Sequence, residues 1–131
     1  MSKAMRVARI YADSEGLSHF EDVDIELGLV EYAPPAPALD VSGPFEVSRA
    51  VLCSFPTGWY GDWHPTPRRQ LYLHLTGRLE VQVADGESRR LEPGAIVLVE
   101  DVSGRGHTTR NIHPGPSTGA FVHLTDEERS P

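Results

Sequence analysis

Apolar and polar residues alternate with a period of two through most of the second half of this chain. Residues 70–76 alternate strictly, and Leu79, Val81 and Val83 are spaced by Glu80 and Gln82. That period places successive side chains on opposite faces of a strand. Asp85-Gly86 follows, two residues that tolerate positive φ, and predicts a tight hairpin turn. Residues 89–92 predict the return strand. Pro93-Gly94 then turns the chain into 95–100, an apolar, β-branched run. After the loop Gly104-Arg105-Gly106, residues 108–112 and 120–124 predict the last strands.

The first part of the chain is less regular. Residues 6–12, 27–32 and 46–55 predict strands, and the polar stretch 13–22 predicts a loop. Residues 33–38 read Ala-Pro-Pro-Ala-Pro-Ala. Proline donates no ladder hydrogen bond, so this stretch is expected to lie extended as a packed arm. No window sustains a helical period, and 11 prolines with 12 glycines interrupt the sequence throughout. The fold class is therefore all-β. A length of 131 residues suits one domain. Its expected parts are an N-terminal arm over 1–44 with one or two strands packed on a barrel, the barrel over 45–125, and a frayed tail over 126–131.

Charge narrows the partners. Lys and Arg number 12 against 19 Asp and Glu, a formal net charge of −7. Nucleic acid and anionic membrane both require a basic face, so neither is an expected partner. The single cysteine, Cys53, forms no intrachain disulfide, which suits a reducing compartment. It lies in the run Val51-Leu52-Cys53 and is expected to pack as a small core residue. The first ten residues carry no long apolar segment, so the expected location is cytoplasmic.

The chemistry concentrates between Gly58 and Asn111. Gly58 is followed after five residues by His64, after one more by Thr66, after three by Gln70 and after six by Gly77. Later come Pro93-Gly94, then His107, and three intervening residues before Asn111. This spacing resembles the two motifs of the cupin family. The first reads glycine, five residues, His-x-His, three or four residues, Glu, six residues, Gly. The second has Pro-Gly ahead of a His with Asn after it. The stretch between Gly94 and His107 is slightly longer than the family pattern.

The resemblance implies an antiparallel jelly-roll β-barrel, the double-stranded β-helix of cupins, with a ligand site inside the barrel mouth. It also implies a homodimer and a divalent metal, Fe, Mn, Ni, Cu or Zn, held at His64, Gln70 and His107. No organic cofactor is expected. The chain departs from the family at two ligand positions. Gln70 stands where the family has glutamate, and Thr66 where it has a second histidine. An amide oxygen is a neutral donor and a threonine hydroxyl a poor one, so any metal is expected to bind weakly.

Parity extends the set. If Gln70 faces inward, so do Tyr72 and His74, while Leu71, Leu73 and Leu75 face outward. That apolar outer face requires cover, from the arm or from a second subunit. Thr109 shares parity with His107 and Asn111. Trp59, Tyr60 and Trp63 precede His64 and are read as an aromatic rim or as core. Arg68 is read as a ligand contact near the mouth or as a member of a surface salt bridge, and Arg69 as facing away toward an acid. Glu100-Asp101 are read as a solvated acid pair beside a loop.

The expected ligand is a small polar metabolite, contacted by Trp63, Thr66, Arg68, Gln70, His74 and Thr109. An enzyme would use His107, His64 and Tyr72 as its catalytic groups. In a metal-dependent form these chemistries are an oxygenase or isomerase. In a metal-free form they are an isomerase, epimerase or cyclase, with a pocket histidine as general base and Tyr72 as acid. The alternative is a ligand-binding or sensor protein that turns nothing over. The two part on whether a bound compound is converted.

Overall fold

A computed structural model describes residues 3–125. Among these residues there is no helix, and eleven strands account for the regular structure. The expected tail, 126–131, lies outside the described residues.

The strands are β1 (Lys3–Ala12), β2 (Ser18–Val30), β3 (Leu39–Ser42), β4 (Val47–Phe55), β5 (Tyr60–His64) and β6 (Gln70–Thr76). They continue as β7 (Leu79–Gln82), β8 (Ser88–Leu91), β9 (Ile96–Val99), β10 (His107–Asn111) and β11 (Ser117–Leu124). Seven form one sheet in the order β3-β2-β1-β9-β6-β11-β4. Four form the other, β5-β10-β7-β8. All neighbours run antiparallel except β1 and β9, which are parallel. This is a jelly-roll-like pair of sheets.

The two sheets meet over one apolar cluster. Ile10, Tyr72, Val97 and Val99 come from the large sheet, and Leu79, Val81 and Leu91 from the small one. Leu79 is 1% exposed and Val83 fully buried. Truncating a side chain such as Leu79 to alanine costs about 2–5 kcal/mol, because transfer and cavity terms add. The hairpin between β7 and β8 turns at Asp85-Gly86, where Gly86 has φ of 101° and its N–H donates to Val83 O.

The N-terminal residues are more deeply integrated than an arm. β1 lies inside the large sheet, paired with β2 over its full length and with β9 on its other edge. β2 starts at Ser18, inside the stretch expected to be a loop, because His19 and Phe20 pair with Tyr11 and Ile10 of β1. Residues 33–38 are exposed and form the connection to β3, so they cover no face. Among the described residues, no helix is long and apolar enough to cross a membrane.

Candidate functional site

A cavity of about 320 Å³ opens between the two sheets. Its body is apolar: Ile10, Phe20, Leu79, Val81, Leu91, Val97 and Val99, with the rings of Phe55, Trp59, Tyr72 and Phe121. His64, Thr66, Gln70, His107, Thr109 and His123 supply polar groups. Among the described residues, no Lys, Arg, Asp or Glu lines it. The interior is thus less polar than strand parity implied. β6 turns Gln70, Tyr72 and His74 inward, but the aliphatic residues facing them from β7, β8 and β9 dominate the walls.

Strand register brings the two motif histidines together. His107 on β10 lies opposite His64 on β5, and their ring centroids are 5.4 Å apart. Gly106 makes this approach feasible. It has φ of 78°, and a Cβ there would overlap the His64 carbonyl. A side chain at 106 would force β10 away from β5.

Each ring has one nitrogen committed to an acceptor. His64 Nδ1 donates to Asp62 O at 2.7 Å, and His107 Nδ1 donates to Asp101 Oδ2 at 2.7 Å. A carbonyl and a carboxylate both accept, so both Nδ1 atoms carry hydrogen. In the neutral ring Nε2 then holds the lone pair. Two imidazoles of the same tautomer therefore border the cavity.

Asp101 is the candidate site residue that sequence reasoning placed wrongly. It is fully buried rather than solvated, and its Oδ1 has no hydrogen-bond partner. Its backbone carbonyl accepts from Thr66 N–H at 3.0 Å, fixing the loop after β9 against the loop before β6. Glu100, also read as solvated, is buried too. It accepts from Arg9 Nε at 2.5 Å and from Arg69 at 2.7 Å. Arg69 does face away from the cavity toward an acid, as parity indicated.

The other site expectations divide. Thr66, Gln70 and Thr109 line the cavity. Gln70 donates from Nε2 to Thr66 Oγ1 at 3.1 Å, and Thr66 Oγ1 donates to Arg68 O at 2.9 Å. Trp63 and Arg68 do not line it. Trp63 lies under the Arg105 guanidinium, 3.9 Å from its ring centroid, and Arg68 is exposed. Trp59 takes the place expected of Trp63, packed edge-on against Phe55 at 5.1 Å. His74 is 1% exposed and does not line the cavity, because both its nitrogens are used inside the sheet. Its Nε2 donates to Gly77 O at 2.8 Å, and its Nδ1 accepts from the Tyr72 hydroxyl at 2.9 Å.

Tyr72 consequently offers its ring to the cavity and its proton to His74. Burial, with the Cys53 thiol as a second cause, pushes its phenol above the ordinary tyrosine range. The hydroxyl also lies where a Cβ at Gly119 would be, so this position of β11 accommodates only glycine. Asn111 closes the motif as a structural hub. Its side-chain N–H groups donate to Phe55 O, Pro56 O and Gly115 O, and its Oδ1 accepts from His113 N and Ser117 Oγ.

For a divalent ion, the donors at the implied site are two neutral imidazoles and one neutral amide. Among the described residues, no three His, Cys, Asp or Glu side chains cluster closely enough to hold a metal ion. The Thr66 hydroxyl is already engaged as donor and acceptor. With no carboxylate to offset the ion's charge, this set does not fit a tightly held catalytic metal.

No protein-family model matches the chain, and no curated protein matches it. Solved structures do. The cupin domain of Schizosaccharomyces pombe Cnp3 is similar with a TM-score of 0.50 and 15% identity, over 95% of this chain and 84% of that one. A cupin 2 conserved barrel domain protein from Salinispora arenicola gives a TM-score of 0.49 and 21% identity, over 77% of this chain and 76% of that one. SPY1581, a protein of unknown function from Streptococcus pyogenes, gives 0.49 and 19%, over 60% of this chain and 65% of that one, so this chain spans less than two thirds of its length. At such identities the likeness is one of architecture. Taken with the two facing sheets and the cavity between them, the match to the Cnp3 domain shows that this chain has the cupin fold.

Proposed function

We propose that this protein binds a small molecule between its sheets and moves a proton on it, with His107 as the base. One observation carries the reading: His107 lines the cavity while a fully buried carboxylate, Asp101, accepts from its Nδ1. That partner fixes the tautomer and the ring orientation, and leaves Nε2 to take a proton from a bound molecule. When it does, Asp101 faces the imidazolium and stabilises its charge. His64, across the cavity, offers Nε2 as a second acceptor in the neutral ring, so the proton taken up by His107 is returned from His107 Nε2 to another atom of the bound molecule. Tyr72 does not serve as the acid, since its proton is given to His74. The reaction class is metal-free isomerisation, epimerisation or cyclisation.

The test uses a C–H acid with an apolar body. Phenylacetone carries an aromatic ring and hydrogens beside a carbonyl, and its exchange in deuterated buffer is followed by proton NMR. Wild-type protein is expected to accelerate exchange, and His107→Ala to remove the acceleration with the fold intact by circular dichroism. If wild-type protein leaves the exchange rate at the buffer value, proton transfer to this probe is excluded. The second reading then takes over: a cavity that binds without converting. Its mostly apolar lining is the observation that favours it.

A further inference from the structure

Resting on the reading of this cavity as a ligand site, we infer that its ligand is an uncharged, compact apolar molecule, such as a substituted ring, bearing a hydroxyl that donates to His64 or His107. Three features fix the class.

Volume comes first. About 320 Å³ lies at the small end of the roughly 300–1,000 Å³ usual for ligand cavities. The space suits one ring with short substituents and excludes a nucleotide or an oligosaccharide.

Charge comes second. Among the described residues, no side chain of Lys or Arg lines the cavity. Arg69 is bound to Glu100, and Arg105 lies over Trp63. A protonated His107 is already neutralised by Asp101 at 2.7 Å. A carboxylate or phosphate ligand would leave water for an apolar space with no cation of its own, which is costly. Nor does any Asp or Glu line the cavity to pair with an amine.

Hydrogen-bond polarity comes third. His64 and His107 both have Nδ1 committed as a donor, so both neutral rings offer acceptors. The Thr66 hydroxyl already donates to Arg68 O. The Thr109 hydroxyl and the second Gln70 Nε2 hydrogen can meet a ligand acceptor, but a ligand that only accepts leaves the buried His107 Nε2 unpaired, whereas a hydroxyl donor satisfies it. The apolar remainder lies among Phe55, Trp59 and Phe121.

Equilibrium binding of three probes of one shape tests this: 4-ethylphenol, ethylbenzene and 4-ethylbenzoate. Trp59 lines the cavity and reports by fluorescence, with Trp63→Phe used to remove the other tryptophan signal. The expected order is 4-ethylphenol about tenfold tighter than either of the others. His64→Leu and His107→Leu together are expected to erase the preference for 4-ethylphenol over ethylbenzene, and His64→Leu alone serves if the double variant fails to fold. Tightest binding by 4-ethylbenzoate overturns the ligand class and leaves the cavity reading standing. Equal binding of all three overturns the hydrogen-bond argument. If no probe changes the fluorescence or the amide shifts of Val81 and Thr109, the cavity reading itself falls. Proton exchange on phenylacetone is measured separately, so failure of the catalytic step is distinguishable from failure of the ligand class.

Discussion

His107 donates from Nδ1 to Oδ2 of Asp101 at 2.7 Å, and the carboxylate that receives it has no exposed surface. Six positions separate the two residues, and the Gly104–Gly106 loop folds the chain back so that they meet. A carboxylate buried with one oxygen unpartnered is costly in isolation. Its place against the ring is what makes it informative. Asp101→Asn keeps the shape and removes the charge. We expect nitrogen NMR of the His107 ring to show a single Nδ1–H tautomer in the wild-type protein and a mixture in the variant. Proton exchange on phenylacetone should fall by about 100-fold or more, since Asn no longer holds the tautomer or offsets the imidazolium charge, and the same change in a Ser-His-Asp triad costs about 10⁴-fold. An unchanged ring spectrum in Asp101→Asn would remove Asp101 from the mechanism.

Tyr72 allows a cleaner separation between packing and chemistry. Its hydroxyl serves His74, and burial holds its proton firmly. Tyr72→Phe leaves His74 Nδ1 without a donor in a buried place. The expected loss of stability is about 1–2 kcal/mol, read by urea denaturation. Exchange per folded molecule should be unchanged. A loss of exchange without loss of stability would return Tyr72 to the catalytic set.

Much of this arrangement was legible in the sequence. Strict alternation over residues 70–76 marks β6 to the residue, and Asp85-Gly86 marks the hairpin turn between β7 and β8. The spacing from Gly58 to Gly77 picks out His64 and Gln70. The misses have physical causes. β2 was expected to start at 27, although Val23, Ile25 and Leu27 already alternate with Asp24 and Glu26. Its first residues lack that alternation and are held by pairing with β1. β5 reads Tyr-Gly-Asp-Trp-His, with no period at all, and exists because β10 pairs with it. Asp101 carries no periodic signal either, since its burial depends on a loop path. Parity alone leaves His74 open between a ligand contact and a satisfied barrel histidine: it gives the face of a side chain, not whether a neighbour on that face has already taken its nitrogens.

Metal removal separates the implied family site from the one built here. With two imidazoles and an amide as donors, binding of Zn²⁺ or Mn²⁺ should be weak, and dialysis against a chelator should leave melting temperature and 4-ethylphenol binding unchanged. Calorimetric titration of the chelated protein checks this directly. Tight, stoichiometric uptake of either ion would show that the amide at Gln70 and the two histidines suffice, and the metal-dependent reading would replace the metal-free one.

Away from the cavity, His19 makes the fold sensitive to pH. Its Nε2 is 2.8 Å from Asp13 and its Nδ1 2.9 Å from Asp85, so both nitrogens donate only in the charged ring. Hydrogen bonds to Asp13 and then Asp85 hold its pKa above the ordinary value. Stability from a raised group is fully present below the unfolded-state pKa and is lost as pH rises through the folded one. Asp13 is held low by His19 and by the Leu17 and Glu15 N–H groups, and Asp85 mainly by the Glu87 N–H. Their contributions are present above the ordinary carboxylate range and fade as pH falls through the lowered values. The clasp is therefore complete between the carboxylate and imidazole ranges. The stability advantage of wild type over His19→Gln should shrink as pH rises from the ordinary imidazole range through the raised value. An advantage that stays constant across that interval would mean the ring is not charged in the folded protein.

The outer face of the large sheet leads to a prediction about assembly. Register places Leu52, Ala120, Leu73 and Ile96 in one row across β4, β11, β6 and β9. Leu52 at its end is 83% exposed. Beside the row lies a groove of about 330 Å³ lined by Met5, Ile25, Leu27, Phe45, Leu71 and Leu98. Residues 33–38, the expected cover, are themselves exposed and leave the row open. The charges nearby are paired within the chain, Arg6 with Asp24 and Lys3 with Asp40. A second copy therefore meets this face without unpaired charge, despite the net −7 of each chain. We propose a homodimer through this face, as exposed apolar surface of this kind marks an interface. Light scattering on the eluted protein should give twice the chain mass, and Leu52→Glu should give the single mass. Because Leu52 is exposed in the monomer, that change costs the monomer about 0.5 kcal/mol or less. Wild-type protein running at the single mass across micromolar to millimolar concentration would leave this face without a self-partner.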